Sequence, residues 1–147
     1  MLRTYVRVAS TAVVRLPPPR SGCRSATIFH VTRTVLICDD HPSFRASARA
    51  MLESEGFEVV CEVSEGASVV EAVVDLKPDI VLLDVQLPDM TGFDVCTALE
   101  SCDCDTQVIL VSSRDVADYG ELVEVSCARG FVPKGELSGD AIAALLA

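Results

Sequence analysis

The amino-acid sequence predicts an α/β fold, in which a five-stranded parallel sheet carries helices on both faces. Short apolar runs of strand length alternate with segments whose apolar residues recur at helical spacing, which is typical of βα units joined by right-handed crossovers. The 147 residues, 50% of them hydrophobic, have the length of one domain and suffice for one sizeable core. No apolar run reaches the roughly 18 to 20 residues of a membrane-spanning helix, so we expect a soluble protein.

Five βα units follow one another from residue 34, without internal repeat. The first strand, TVLICD, is short and β-branched, and the helix after it begins near Ser43 and stops at Gly56. The third strand, DIVLLD, is apolar up to its last residue, as expected of a strand buried on both faces. The predicted strands span residues 34–39, 57–63, 79–84, 106–112 and 130–133, and the predicted helices span residues 43–56, 66–77, 93–101, 115–127 and 138–146.

Charge divides the chain into two parts. Residues 1–38 hold six arginines and no Asp or Glu, and all 22 acidic residues follow from Asp39 onward. Residues 31–147 carry 22 acidic against seven basic residues, a net charge of −15. A body of this charge repels nucleic-acid phosphate, and its two lysines form no basic patch, so we expect no direct binding of nucleic acid by this chain.

Residues 1–30 form a basic leader that we expect to be disordered, and residues 31–147 form the folded domain. Arginines interrupt the apolar stretches of the leader and RLPPPRSG prevents a continuous helix, so a secretory signal is not expected. Two alternatives stay open. An organelle transit peptide is also rich in Arg and poor in acids. The leader could also be untranslated, because Val31 stands where a compact domain would begin and a GTG valine codon can start translation.

We expect the seven cysteines to be reduced residues of a cytoplasmic protein. Their number is odd, and Cys38, Cys61 and Cys96 lie within apolar patterns, which argues against a disulfide framework. The close pair Cys102 and Cys104 offers two thiol ligands without a partner histidine, so a surface loop is favoured over a zinc site.

Polar residues stand at the ends of four predicted strands. In a sheet of order 2-1-3-4-5 the first and third strands are neighbours, and functional groups gather beyond the carboxyl ends of parallel strands. Three carboxylates therefore converge on one small site, and hard oxygen ligands favour Mg²⁺ or Mn²⁺ over zinc. The residues concerned are Asp39 and Asp40 after the first strand, Asp84 at the end of the third, Ser112 at the end of the fourth, and Lys134 after the fifth.

Taken singly, each of these residues has a simpler interpretation. An Asp after a strand is usually a turn or helix-cap residue, and a lone Lys usually lies in solvent. Ser112 alone could be a cap, with Ser113 or Asp115 as competitors. His41, with no second His nearby, is interpreted as a loop residue. The joint occurrence of these residue types at one edge of the sheet is what favours a functional site.

The same residues resemble the motifs of a known family, the receiver domain of bacterial two-component response regulators. The acidic pair of that family is matched by CDDHPSFR, and its D-x-x-x-P-x-x-x-G pattern is matched by DVQLPDMTG, with Asp84, Pro88 and Gly92. The hydroxyl of the family falls on Ser112 in LVSSR, and its lysine falls on Lys134 in FVPKG.

This resemblance covers roughly residues 34 to 147 and implies a flavodoxin-like doubly wound fold. It implies that Asp84 accepts a phosphoryl group from a sensor histidine kinase or phosphotransfer protein, and that the chain is a phosphoacceptor rather than an enzyme. Ser112 and Lys134 would contact the phosphoryl group, and Phe131, three positions before the lysine, would be the aromatic switch residue. The implied Mg²⁺ ligands are Asp39, Asp40, Asp84 and the backbone carbonyl of Gln86.

The resemblance also implies an output. Phosphorylation would switch the face formed by the fourth helix, fifth strand and fifth helix, which would control an unknown downstream protein or form a phosphorylation-dependent homodimer. The segment ARGFVPKGELSG is similar to receivers that precede a helix-turn-helix domain, so a DNA-binding regulator cut before its effector is one alternative to a stand-alone receiver. A magnesium-dependent phosphohydrolase on a related fold is another, although such enzymes place two acids as D-x-D on the first strand, whereas Asp39 and Asp40 are adjacent. No membrane partner is expected.

Overall fold

A computed structural model describes residues 6–7 and 32–147 of the chain. Five parallel strands stand in the order 2-1-3-4-5, as the sequence predicts. The strands are β1 Thr34–Cys38, β2 Glu58–Val63, β3 Ile80–Asp84, β4 Gln107–Ser112 and β5 Gly130–Pro133. The helices are α1 Pro42–Ser54, α2 Ala67–Leu76, α3 Gly92–Glu100, α4 Leu122–Val125 and α5 Gly139–Leu146, with 3-10 turns at Val116–Asp118 and Lys134–Glu136.

Two residues of the basic leader, Val6–Arg7, pair antiparallel with β2 at the edge of the sheet. The rest of the predicted leader, with Val31 and Cys23, lies outside the described residues. None of the helices in the described part of the chain has the length and apolar character needed to span a membrane.

The sheet has one hydrophobic core on each face, because successive side chains of a strand point in opposite directions. The first core lies between the sheet and α2 and α3, and the second lies between the sheet and α1 and α5. Every residue of β3 is buried, as predicted for a strand covered on both faces. The first core includes Leu36, Leu83, Leu110, Val73 and Val95, and the second includes Ile37, Leu82, Ile109, Leu52 and Ile142.

The register of the strands aligns their carboxyl ends. Cys38 of β1 lies beside Leu83 of β3, and Ser112 of β4 lies beside Pro133 of β5. The residues that follow these positions in the chain therefore reach the same edge of the sheet, and among them are Asp39, Asp84 and Lys134.

One predicted element is wrong, because residues 115–127 do not form a continuous helix. They contain the 3-10 turn Val116–Asp118 and the four-residue helix α4. Gly120 lies between them with a φ of 55°, in the left-handed region that glycine tolerates and that no α-helix contains. Because each helical piece is so short, little intrinsic helix stability holds this segment in place.

Candidate functional site

Four side chains that can ligate a metal meet at the carboxyl edge of β1 and β3. One ligand atom from each of Asp39, Asp40, His41 and Asp84 lies within 4.8 Å of the others. Asp39 and Asp84 are 0% and 3% exposed, whereas Asp40 faces solvent. The structure thus brings together the three carboxylates that the strand order predicts, and it adds His41, which the sequence pattern assigns only to a loop.

Asp39 is fixed by contacts through its backbone and its side chain. Its N–H donates to the carbonyl oxygen of Val63 at 3.1 Å, which extends the pairing of β1 with β2 by one residue. Its Oδ1 accepts the backbone N–H of His41 at 2.8 Å, as in an Asx turn. Its carbonyl oxygen accepts Nη1 of Arg45 from α1 at 2.6 Å. The start of α1 and the end of β1 are therefore tied together at this carboxylate.

His41 touches both members of the acidic pair. Its Nδ1 lies 3.1 Å from Oδ1 of Asp39 and 3.0 Å from Oδ1 of Asp40. The His41 imidazole therefore adds to the site a nitrogen that was predicted only as part of a loop. The sequence around His41 holds no second histidine that would indicate a metal site. The direction of the ring depends on the path of the chain from β1 into α1.

Lys134 bridges the two buried carboxylates. Its Nζ lies 2.6 Å from Oδ2 of Asp39 and 3.3 Å from Oδ2 of Asp84, and 4.5 Å from the centre of the Phe44 ring of α1. Among the described residues no donor of suitable geometry hydrogen-bonds Oδ2 of Asp39, so the ion pair compensates this buried oxygen. Burial opposes the ammonium charge, but Asp39 and Asp84 outweigh it and raise the pKa of Lys134 above its ordinary value.

Asp84 is the last residue of β3. It is buried, and it lies close to the Asp39 carboxylate and to the Lys134 ammonium. Its Oδ1 accepts the backbone N–H of Gln86 at 3.1 Å. Burial, followed by the neighbouring Asp39 carboxylate, raises the pKa of Asp84 above its ordinary value, although the Gln86 N–H and the Lys134 ammonium act in the opposite direction. Gln86 is exposed, and its backbone N–H contacts the Asp84 carboxylate.

Gly92 allows the loop after β3 to pack directly against Asp84. A Cβ atom at Gly92 would lie 2.7 Å from the carbonyl oxygen of Asp84, closer than real Cβ atoms approach a backbone, and in tight contact at 3.0 Å with Cα of Val85. The Gly92 N–H donates to the carbonyl of Val85 at 2.7 Å. The glycine of the D-x-x-x-P-x-x-x-G pattern therefore has a steric reason in this chain.

The same loop also supports α2. Asp89 accepts the backbone N–H of Gly66 through Oδ1 and that of Ala67 through Oδ2, both at 2.9 Å. These two N–H groups open α2 and have no partner within the helix, so Asp89 supplies a cap from another part of the chain. This role of Asp89 was not predicted, because Asp89 is 22 and 23 residues away from the groups it caps.

Ser112, buried at the end of β4, forms a hydrogen bond with Tyr119. The two hydroxyl oxygens lie 2.6 Å apart, and Oγ of Ser112 also accepts the backbone N–H of Arg114 at 3.1 Å. The Tyr119 ring lies 5.8 Å from the Phe93 ring and 5.7 Å from the Phe131 ring, between centroids. Tyr119 was not predicted as a site residue, because no local pattern pairs a tyrosine with a serine at the end of the preceding strand.

The donor set of this edge fits a hard divalent cation. Asp39 and Asp84 are buried next to each other, and a divalent cation held by them in addition to the Lys134 ammonium would reduce the repulsion that, after burial, raises the pKa of Asp84. Carboxylate oxygens are ligands that Mg²⁺ and Mn²⁺ prefer, and Asp40 adds one on the solvent side. The imidazole of His41 would be an additional nitrogen donor beside these carboxylates.

Comparison with known proteins assigns this arrangement to one class. The family model described as the response regulator receiver domain matches residues 35–146. The chain belongs to this family, whose members act in two-component signalling. The resemblance and the flavodoxin-like fold that the sequence predicts are therefore confirmed.

Individual relatives extend beyond this chain. The DNA-binding transcriptional activator EvgA of Escherichia coli (strain K12) is 38% identical over 110 residues, which are 75% of this chain and 54% of that protein. The transcription regulator BvgA of Bordetella pertussis (strain Tohama I) is 33% identical over 102 residues, which are 69% of this chain and 49% of that protein. The chain thus spans about half the length of the curated relatives it matches.

Solved structures show the same fold. The receiver domain assigned to NarL from Mycobacterium tuberculosis has a TM-score of 0.67 at 31% identity and covers 78% of this chain and 97% of its own. A CheY-like receiver domain from Methanospirillum hungatei JF-1 has a TM-score of 0.68 at 20% identity, over 78% of this chain and 91% of its own. At 20% identity, the similarity to the Methanospirillum hungatei domain concerns the fold alone.

Proposed function

We propose that Asp84 accepts a phosphoryl group from a phosphohistidine of a sensor histidine kinase or phosphotransfer protein, and that the chain is a phosphorylation-dependent switch. The observation that carries this proposal is the setting of the Asp84 carboxylate. It lies at the end of a buried strand, 3.3 Å from the Lys134 ammonium and beside two further carboxylates that can hold a divalent cation.

The transfer exchanges one bond to phosphorus for another. A carboxylate oxygen of Asp84 attacks phosphorus in line, and an acyl-phosphate P–O bond forms while the P–N bond to the partner's imidazole breaks. The imidazole nitrogen keeps the electron pair of that bond. Negative charge spreads over the three equatorial oxygens in the transition state, so positioning and electrostatic stabilisation carry most of the catalysis.

The residues around Asp84 have separate parts in this step. Asp40 and Asp84 would hold Mg²⁺ directly, Asp39 directly or through water, and the backbone carbonyl of Gln86 would complete the protein ligands. Bound Mg²⁺ supplies neutralisation of the equatorial charge. Lys134 pairs with a phosphoryl oxygen as a point charge, and the hydroxyl of Ser112 donates a hydrogen bond to the phosphoryl group.

The output belongs to the surface of α4, β5 and α5. Leu122 and Val125 of α4 are exposed, so apolar area is present there for a partner protein or for a second copy of the chain. The relative EvgA is named as DNA-binding. In this chain the net negative charge of residues 31–147 disfavours direct contact with DNA. We propose that the phosphorylated face binds a protein surface instead.

Phosphorylation by a small-molecule donor tests the proposal. The full chain is incubated with Mg²⁺ and acetyl phosphate or phosphoramidate, and intact-mass spectrometry follows the addition of one phosphoryl group. We expect the adduct in the wild type and in the control Asp105→Asn, whose acid is exposed, and its loss in Asp84→Asn. The adduct should be released by hydroxylamine, because an acyl phosphate is cleaved by this nucleophile.

Two results would overturn the proposal. One is an adduct that persists in Asp84→Asn. The other is sustained, Mg²⁺-dependent hydrolysis of p-nitrophenyl phosphate that depends on Asp84, because that result would make the chain a phosphohydrolase.

A further inference from the structure

The hydroxyl of Ser112 is already engaged in the structure, away from the acidic cluster. A serine hydroxyl has one proton and two lone pairs. One lone pair of Ser112 Oγ accepts the Arg114 N–H at 3.1 Å. Tyr119 Oη lies 2.6 Å from Ser112 Oγ, and it either accepts the hydrogen bond of the serine hydroxyl or donates its own to the second lone pair. Ser112 is 1% exposed, so water does not replace these partners. When Ser112 donates its proton to Tyr119 Oη, a phosphoryl group on Asp84 has to compete for that proton.

We propose that Tyr119 is a positioning residue, which holds the Ser112 hydroxyl in the unphosphorylated state and releases it when Asp84 carries a phosphoryl group. This inference rests on the proposed function and adds a residue that neither the family motif nor the acidic cluster includes. Phe131, the predicted switch residue, has no hydroxyl and cannot form such a bond. It touches the Tyr119 ring instead, so the phenol of Tyr119 connects Ser112 to Phe131.

Tyr119 also lies at the joint of a weakly held segment. It directly follows the 3-10 turn Val116–Asp118. Its carbonyl oxygen accepts the N–H of Leu122, the first residue of α4, at 3.2 Å. Val116, Leu122 and Val125 are exposed apolar side chains on either side of it. Tyr119 therefore lies within a few residues of the exposed apolar surface of α4, and we expect a change in its side chain to reach that surface.

The competition has a predictable sign. The Ser112–Tyr119 bond stabilises only the state in which the hydroxyl is turned away, so removing the bond shifts the population toward the state that binds a phosphoryl group. One net hydrogen bond between neutral groups corresponds to about a two- to tenfold change in an equilibrium constant. Tyr119→Phe removes the phenol oxygen and keeps the ring that packs on Phe93 and Phe131.

Beryllofluoride with Mg²⁺, a mimic of the phosphoryl group, is the probe for this test. Its dissociation constant is measured by calorimetry for the wild-type chain of 147 residues and for its variants Tyr119→Phe, Ser112→Ala and Ser112→Thr. We expect Tyr119→Phe to bind about two- to tenfold more tightly than the wild type, Ser112→Ala to bind more weakly, and Ser112→Thr, which keeps the hydroxyl, to stay close to the wild type.

Tyrosine emission gives a readout that a merely structural role would not change. The sequence has no Trp and two tyrosines, Tyr5 and Tyr119, so in a Tyr5→Phe background the emission reports on Tyr119 alone. We expect beryllofluoride to change this emission in the background protein and with Ser112→Thr. With Ser112→Ala the phenol has already lost its partner, so we expect no change.

Equal or weaker binding by Tyr119→Phe, or emission that does not respond to binding, overturns the role of Tyr119 alone, provided that the wild type takes up a phosphoryl group at Asp84. A wild type that binds no beryllofluoride and accepts no phosphoryl group overturns the proposed function together with this inference.

Discussion

Lys134 forms its shortest ion pair with Asp39, at 2.6 Å, and not with Asp84, at 3.3 Å. The two buried acids therefore share one cation, and Asp39 holds it more closely. The Asp84 carboxylate therefore lies farther from the ammonium, and burial, followed by the neighbouring Asp39 carboxylate, raises its pKa. This arrangement also means that Lys134 stabilises the protein before any phosphoryl group is present.

Replacing Lys134 should therefore lower stability as well as phosphotransfer. We expect Lys134→Met to lower the free energy of unfolding by about 3 kcal/mol in the absence of divalent cations, because two buried carboxylates lose their partner. Urea unfolding measures this difference. Lys77→Met is the matched control, since Lys77 is the only other lysine of the sequence and is exposed. Asp39→Asn should recover part of the loss in the double variant, and equal stability of the two lysine variants would contradict the argument.

Mg²⁺ should stabilise the folded chain by binding between the carboxylates. At ten times its dissociation constant a ligand that binds only the folded state adds about 1.4 kcal/mol, which raises the thermal midpoint by a few degrees. EDTA should remove this gain, and Asp40→Asn should reduce it, whereas the exposed control Asp103→Asn should not. The measurement is thermal unfolding followed by circular dichroism, with NaCl at matched ionic strength. A midpoint that millimolar Mg²⁺ leaves unchanged would count against Asp40 as a ligand.

The predictable part of this protein is the part set by periodicity. Apolar runs of strand length locate β1 and β3, and parallel strands must end at one edge, so Asp39, Asp84 and Lys134 could be placed together without coordinates. The break within residues 115–127 could not be predicted from periodicity, because the apolar spacing of this segment is compatible with a continuous helix. The break is seen in the positive φ of Gly120.

Contacts between distant loops account for the site residues that were missed. Asp89, in the loop after β3, contacts the start of α2, and Tyr119, in the irregular segment before α4, contacts Ser112. His41 is next to the acids in sequence, but its ring direction depends on how the chain turns into α1. Each of these depends on backbone geometry that local spacing does not encode.

Gly92 should be sensitive to a single added methyl group. The Cβ of Gly92→Ala would approach the Asp84 carbonyl oxygen to 2.7 Å, so the loop or the end of β3 must shift. We expect a loss of about 1 to 3 kcal/mol in the free energy of unfolding, together with a lower yield of phosphorylated protein. Gly135→Ala is the control, because nothing lies within 4 Å of a Cβ there although Gly135 directly follows Lys134. Equal stability and equal phosphorylation of both variants would show that the close approach is unimportant.

Asp89 should contribute stability that depends on pH. Asp89 is exposed, and although some desolvation acts against its charge, the N–H groups of Ala67 and Gly66 outweigh it and lower the pKa of Asp89. In the pH range between the lowered value and the ordinary value the unfolded chain binds more protons at this residue than the folded chain. The stabilisation is therefore complete above the ordinary pKa of an aspartate and is lost as the pH falls through the lowered one.

We expect Asp89→Ala to cost about 1 kcal/mol at pH 7, as for the loss of a helix cap, and the difference from the wild type to shrink once the pH falls below the ordinary range of aspartate. Urea unfolding of both proteins over a pH series measures this, with Asp103→Ala as an exposed acid for comparison. A difference that stays constant down to the lowest pH at which both proteins fold would contradict the electrostatic part of the cap. It would leave only the geometry of the loop as the reason for the loss at neutral pH.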